Sequence, residues 1–182
     1  MMTADNSNWQ NKMLALIDKT SKAFALGGGF ILIALAALTI ISVIGRTINA
    51  YGFGPIQGDF ELVENGTAFV VFCSLPYCQM RFGHVSVDIL SRRLPPRLSW
   101  LIAIASHAGM SLIAIIITRQ LYFGMMDKYN WGETTFILQL PSWWGYAAAL
   151  PASVLWVLAC IAATYLTITG QHMYESLQET SS

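Results

Sequence analysis

Four apolar blocks divide this chain, at residues 24–44, 62–82, 98–120 and 143–169. Each is close to the ~20 residues that a helix needs to cross a hydrocarbon layer. The first, Phe24–Ile44, has no charged residue. The second carries Glu64 near its start and Pro76 towards its end, where a proline removes a backbone bond and kinks a helix. The third holds His107 at mid-depth, and the fourth is entered through Pro141-Ser142-Trp143-Trp144. Ahead of the first block, Trp9, Met13, Leu16, Ile17, Thr20 and Phe24 recur at helical spacing, with Lys12, Lys19 and Lys22 largely off that stripe. This predicts an amphipathic helix lying at the headgroup level, or else a plain extension of the first span. The pattern predicts an all-α membrane protein: four transmembrane helices with an N-terminal amphipathic interfacial helix. Its parts are an N-terminal segment 1–23, a transmembrane domain 24–170 and a tail 171–182.

Composition agrees. Of the 182 residues, 55% are hydrophobic and 11% charged, where a soluble domain carries about 25% charge. The formal net charge is zero, which gives a nucleic-acid partner no support. Cys73, Cys78 and Cys160 all fall inside apolar blocks and read as small buried hydrophobes rather than a disulfide framework. The first block is long, set back from the N-terminus and not followed by an A-x-A-like site, so it reads as an uncleaved anchor.

Orientation follows from the basic residues. Lys12, Lys19 and Lys22 precede the first span, and Arg81, Arg92, Arg93 and Arg97 lie between the second and third. The opposite side has Arg46, Arg119 and Lys128, with Asp59, Glu61, Asp127 and Glu133. Both termini are therefore expected in the cytoplasm of a multi-pass inner-membrane protein.

Little catalytic chemistry is visible. Walker, G-x-G-x-x-G, G-x-S-x-G and H-E-x-x-H motifs are absent, and only one histidine lies within a span. Neither an enzyme nor a cofactor is expected. Glu61 and Glu64, three apart, share a helix face. A carboxylate in hydrocarbon needs water or a partner, and an Arg46–Glu61 or Arg46–Glu64 pair is one candidate, plain hydration at the interface the other. His84 and Asp88 are neighbours on a helical turn and are expected to share a structural hydrogen bond rather than a metal. Trp131, Trp143, Trp144 and Tyr146 form an aromatic belt at the outer interface, with Pro141 just outside the last span and Ser142 able to cap it. Asn65 and Thr67 are expected to bond across helices, and Gly27-Gly28-Gly29 to permit a bend or a close helix crossing. Trp156, at mid-depth, is either packed, lipid-facing or in contact with another subunit.

The acidic F-E-L-V-E that opens the second span, L-P-Y-C-Q at its inner end, the following G-H-V-S-V-D-I-L, and the outer W-G-E-T-T with L-P-S-W-W-G-Y occur in an order and spacing that resemble a known family. It is the small membrane subunit (DctQ-like) of tripartite ATP-independent periplasmic (TRAP) transporters. The likeness covers about residues 24–170. It implies a non-catalytic scaffold in a sodium-coupled system for organic acid uptake. A large multi-span membrane subunit would carry substrate, and a periplasmic substrate-binding protein would deliver it. Under this resemblance Arg46, Glu61 and Glu64 hold the outer span ends, and Glu133 and its loop are candidates for contact with the binding protein. His84 and Asp88 fix the inner end against membrane lipid. Two other readings stay open: a self-sufficient four-helix carrier using Glu64, and a membrane anchor for a redox enzyme.

Overall fold

The structure is a computed structural model that describes residues 3–48, 54, 56–81 and 96–169. The described residues form four helices: α1 (Thr3–Thr47), α2 (Asp59–Met80), α3 (Pro96–Trp131) and α4 (Trp143–Thr169). Among the described residues, three segments are long and apolar enough to cross a membrane: Lys12–Thr47 in α1, Trp100–Trp131 in α3 and Trp143–Ile168 in α4. The 22 residues of α2 reach ~33 Å, enough for a ~30 Å hydrocarbon layer, but its acidic and amide side chains keep it below the same apolar threshold.

The N-terminal stretch is not a separate interfacial helix. α1 runs unbroken for 45 residues, through the 23/24 boundary and through Gly27-Gly28-Gly29. Of the two readings of residues 1–23, the structure takes the plain extension of the first span. The physical reason is that nothing between Thr3 and Thr47 stops a helix. There is no proline, and a glycine costs only about 1 kcal/mol against alanine. In an apolar setting a broken turn would strand backbone N–H and C=O groups at a greater cost.

α4 is the hub of the array. It packs along α3 on one side and along α2 on the other, with a narrower contact to α1, which lies mainly against α2. Small residues make this possible: Ala149, Ala152, Ser153, Ala159, Cys160, Ala162 and Ala163 are all buried. Close backbone approach then supplies the van der Waals contact that replaces a hydrophobic drive between helices. Trp156, 3% exposed, fills the space among Ala114, Cys160, Leu75, Met110 and Val157, so of its readings the packed one holds. Several hydroxyls at these contacts bond within or across helices. Ser111 Oγ and Thr164 Oγ1 lie 3.2 Å apart, and Thr118 Oγ1 donates to the Ser153 carbonyl at 3.3 Å. His107 Nδ1 meets the buried Gln79 Nε2 at 3.4 Å.

The α1–α2 seam has a regular register. Gly28 meets Cys73, Leu35 meets Gly66 and Ser42 meets Asp59, each step seven residues along both helices in opposite directions. That is the heptad spacing of a left-handed antiparallel pair. Ser21, one step further along, is also buried. The close-crossing expectation for the glycine triplet therefore holds at Gly28 alone. A Cβ there would lie 2.9 Å from the Cys73 Cβ, whereas Gly27 and Gly29 face open space.

Gly28→Val is accordingly expected to lower the thermal midpoint of the purified chain, by overpacking that costs about 1–3 kcal/mol. Gly27→Ala and Gly29→Ala should leave it unchanged or raise it slightly. Equal loss in all three variants would mean that the triplet acts through backbone flexibility instead.

Candidate functional site

The end of the array where α2 begins is built around two carboxylates. Gly58 precedes the helix with φ 82°, a left-handed conformation that glycine adopts without penalty, and a Cβ there would run into the Leu138 side chain. Asp59, in the first turn, accepts the Ser42 hydroxyl from α1 and the Phe60 N–H at 2.9 Å. Acidic residues suit this turn, where unpaired helix N–H groups carry partial positive charge.

Glu61 reaches the other way. Its carboxylate accepts the backbone N–H of Ile137 at 2.8 Å and of Leu138 at 3.0 Å. These residues form the tip of a short hairpin joining α3 to α4. Antiparallel pairing of Thr134 with Pro141 closes its base. The Thr135 N–H donates to the Leu140 carbonyl at 2.9 Å, and the Ser142 N–H to the Glu133 carbonyl at 2.9 Å. At the turn Gln139 takes φ 53°, and its amide donates to the Phe136 carbonyl at 3.1 Å. Partial burial pushes the Glu61 carboxyl up, but the Ile137, Leu138, Thr135 and Phe136 donors outweigh it and hold the group below the ordinary glutamate range. The charge is thus spent on ordering a loop.

The predicted residues divide as follows. Arg46 pairs with neither Glu61 nor Glu64; its guanidinium lies 5.8 Å from the centre of the Phe60 ring. The proposed Arg46–Glu pair fails because Glu61 faces the hairpin donors instead, and Glu64 is exposed on α2 without a partner among the described residues. Glu133, at the hairpin base, forms an ion pair with Lys128. Pro141 supplies the carbonyl that the Trp144 N–H meets at 3.1 Å, a backbone closure where a Ser142 side-chain cap was expected. Trp143 stacks edge-on with Tyr129 and Trp144, at 5.7 Å and 6.3 Å. Asn65 donates to the Glu61 carbonyl at 3.0 Å and lies against Gly145 of α4, while Thr67 is exposed. His84 and Asp88 fall outside the described residues. At the opposite end Arg81 meets Asp18 at 3.8 Å and lies 5.4 Å from the centre of the Tyr77 ring.

Sequence reasoning did not single out Ser42 or Phe136. Ser42 has a legible signal, one of two hydroxyl residues in an apolar run and at a multiple of seven from Gly28. Phe136, 95% exposed at the hairpin tip beside the half-exposed Ile137, has none, because its exposure depends on where Glu61 holds the loop.

The Glu61 carboxylate has a lower pKa folded than unfolded, so its contribution is present above the unfolded value of about 4.3 and is lost as pH falls through the folded one. In nuclear magnetic resonance spectra the Ile137 and Leu138 amide shifts should titrate together, at a pH below the ordinary glutamate value. Glu61→Ala should abolish that titration and expose the Phe136 peptide bond to chymotrypsin at neutral pH. A chain that stays uncut would show that the hairpin orders itself without Glu61.

Among the described residues, no group of three His, Cys, Asp or Glu side chains is disposed to hold a metal ion. A family model for the DctQ component of tripartite ATP-independent periplasmic transporters matches residues 35–170. Components of this family work with a large membrane subunit and a binding protein. Comparison with curated proteins and with solved structures returned no match. The matched stretch takes in the C-terminal part of α1, all of α2, α3 and α4, and the hairpin held by Glu61, and the chain therefore belongs to the DctQ family, the small membrane component of TRAP transporters.

Proposed function

We propose that this chain is the non-catalytic scaffold of a sodium-coupled TRAP transporter for organic acids. In this reading all four helices span the inner membrane with both termini in the cytoplasm, as the excess of Lys and Arg on one side of the apolar blocks supports. α2 is admitted because α1 and α4 pack along it and bury Val70, Cys73, Pro76 and the polar Gln79 between them. The large subunit carries substrate and ions. The small subunit gives it a fixed surface to work against and helps to seat the binding protein on the periplasmic side.

One observation carries the reading. Glu61, an acid suitably placed to take up a cation, is committed to backbone N–H groups of the hairpin. A transport carboxylate must exchange partners during a cycle, and this one acts as a brace. The hairpin it orders presents Phe136 and Ile137 to the outside, with Glu133 at its base. A rigid aromatic tip rimmed by polar groups suits a transient protein contact.

Reconstitution tests this directly. Proteoliposomes with both membrane subunits, the binding protein and an inward sodium gradient should take up substrate. Vesicles holding this chain alone should not. Phe136→Ala should lower uptake about tenfold at limiting binding protein, the loss of one anchoring side chain, and far less at saturating binding protein. Gradient-driven uptake by the chain alone would instead establish an autonomous carrier using Glu64. A haem band or a co-purifying flavoprotein would favour the redox anchor.

A further inference from the structure

The face of α2 turned away from α1 and α4 is unlike the other outer faces of the array. Phe60, Glu64, Thr67, Val71, Ser74 and Cys78 follow one another at spacings of four and three, so they form one straight stripe. The first five are exposed and Cys78 is half-buried, whereas Val70, Cys73, Pro76 and Gln79 on the opposite face are buried. Alternating steps of four and three are the seam of a helix that packs against another helix. Here the Arg46 guanidinium of α1 lies 5.8 Å from the centre of the Phe60 ring at one end, and from Glu64 to Ser74 the seam is exposed.

Its chemistry does not suit lipid. The outer faces of α1, α3 and α4 present large apolar side chains such as Phe30, Ile33, Ile113, Ile116, Val154 and Leu158. The α2 stripe instead presents a carboxylate, two hydroxyl residues and a thiol. The register locates Glu64. It lies between Asp59 and Gly66, which meet Ser42 and Leu35 of α1, so it is level with the charge-free run Phe24–Ile44. Acyl chains there offer no hydrogen-bond donor, and an unpartnered carboxylate at that depth is costly. A second copy of this chain across a twofold axis would bring two Glu64 carboxylates towards each other, a repulsion that low dielectric strengthens. A different helix with a donor opposite Glu64 meets the need. Thr67, Val71 and Ser74 are small enough to let its backbone come close.

We propose that the α2 stripe from Phe60 to Cys78 is the docking seam for a transmembrane helix of the large membrane subunit. That helix presents a cation or hydrogen-bond donor opposite Glu64 and small side chains opposite Val71 and Ser74. The inference rests on the scaffold reading above and adds the surface through which the scaffold is engaged.

Site-specific photo-crosslinking in membranes holding the full transporter tests it. A photoreactive phenylalanine analogue at Val71 should give an adduct with the large subunit, and the same probe at Ile113 or Ile33 should not. An adduct at Val71 with twice the mass of this chain would overturn the proposal in favour of a homodimer. No protein adduct at Val71 would overturn it in favour of lipid. Glu64→Lys should reduce the large subunit recovered with this chain about tenfold, and Glu64→Gln, which keeps a hydrogen-bonding group, clearly less. Equal membrane levels of the variants exclude a folding defect, and equal recovery with both would sink the pairing at Glu64. If the unaltered chain recovers the large subunit yet crosslinks only through α1 or α3, this proposal fails while the scaffold reading stands. If the unaltered chain recovers no large subunit, both fall.

Discussion

Close approach between helices is the constraint on which the rest of this structure depends. Within a hydrocarbon layer one apolar side chain gains little by leaving lipid for another, so association must come from contact at short range and from hydrogen bonds. The chain meets this with small residues at its contacts. Gly28, Gly66 and Ser42 mark the α1–α2 seam, and a run of alanines, Ser153 and Cys160 lines α4. α4 can therefore touch each of the other described helices, and Trp156 fills the space among Ala114, Cys160 and their neighbours.

The two carboxylates at the start of α2 join this packing to the loops. Asp59 ties α2 back to α1 through Ser42, and Glu61 ties it forward to the hairpin between α3 and α4. A first helical turn favours acidic residues, so helix stability and tertiary bonding point the same way. One end of the array is thereby held at two places by neighbouring residues, and the hairpin tip is fixed as an exposed feature.

The Glu61 bonds to the hairpin N–H groups, the edge-on aromatic stacking at the α4 entrance and the seven-residue register of α1 on α2 are contacts the chain makes with itself. What stays unfilled is the α2 face, where Glu64, Thr67 and Val71 stand without neighbours.

The apolar blocks by themselves determined the helical class and the approximate positions of the helices, because length and apolar content are local properties that a bilayer reads directly; the resemblance to the small TRAP component came from the order and spacing of short motifs such as F-E-L-V-E and L-P-S-W-W-G-Y. Glu61 and Glu64 were legible as acids sharing one face where the second block opens. The partners had to come from tertiary structure. Arg46 and Glu61 look like a pair in the sequence, and only the path of the α3–α4 hairpin shows that backbone N–H groups from residues far along the chain reach Glu61 first. An amphipathic stripe before residue 24 cannot reveal whether a helix stops, since continuity depends on the absence of a breaker and on the cost of stranded backbone groups. Likewise Gly27, Gly28 and Gly29 are equivalent as letters. Only the crossing of α2 decides that Gly28 alone has to be a glycine, because only there does another backbone come so near.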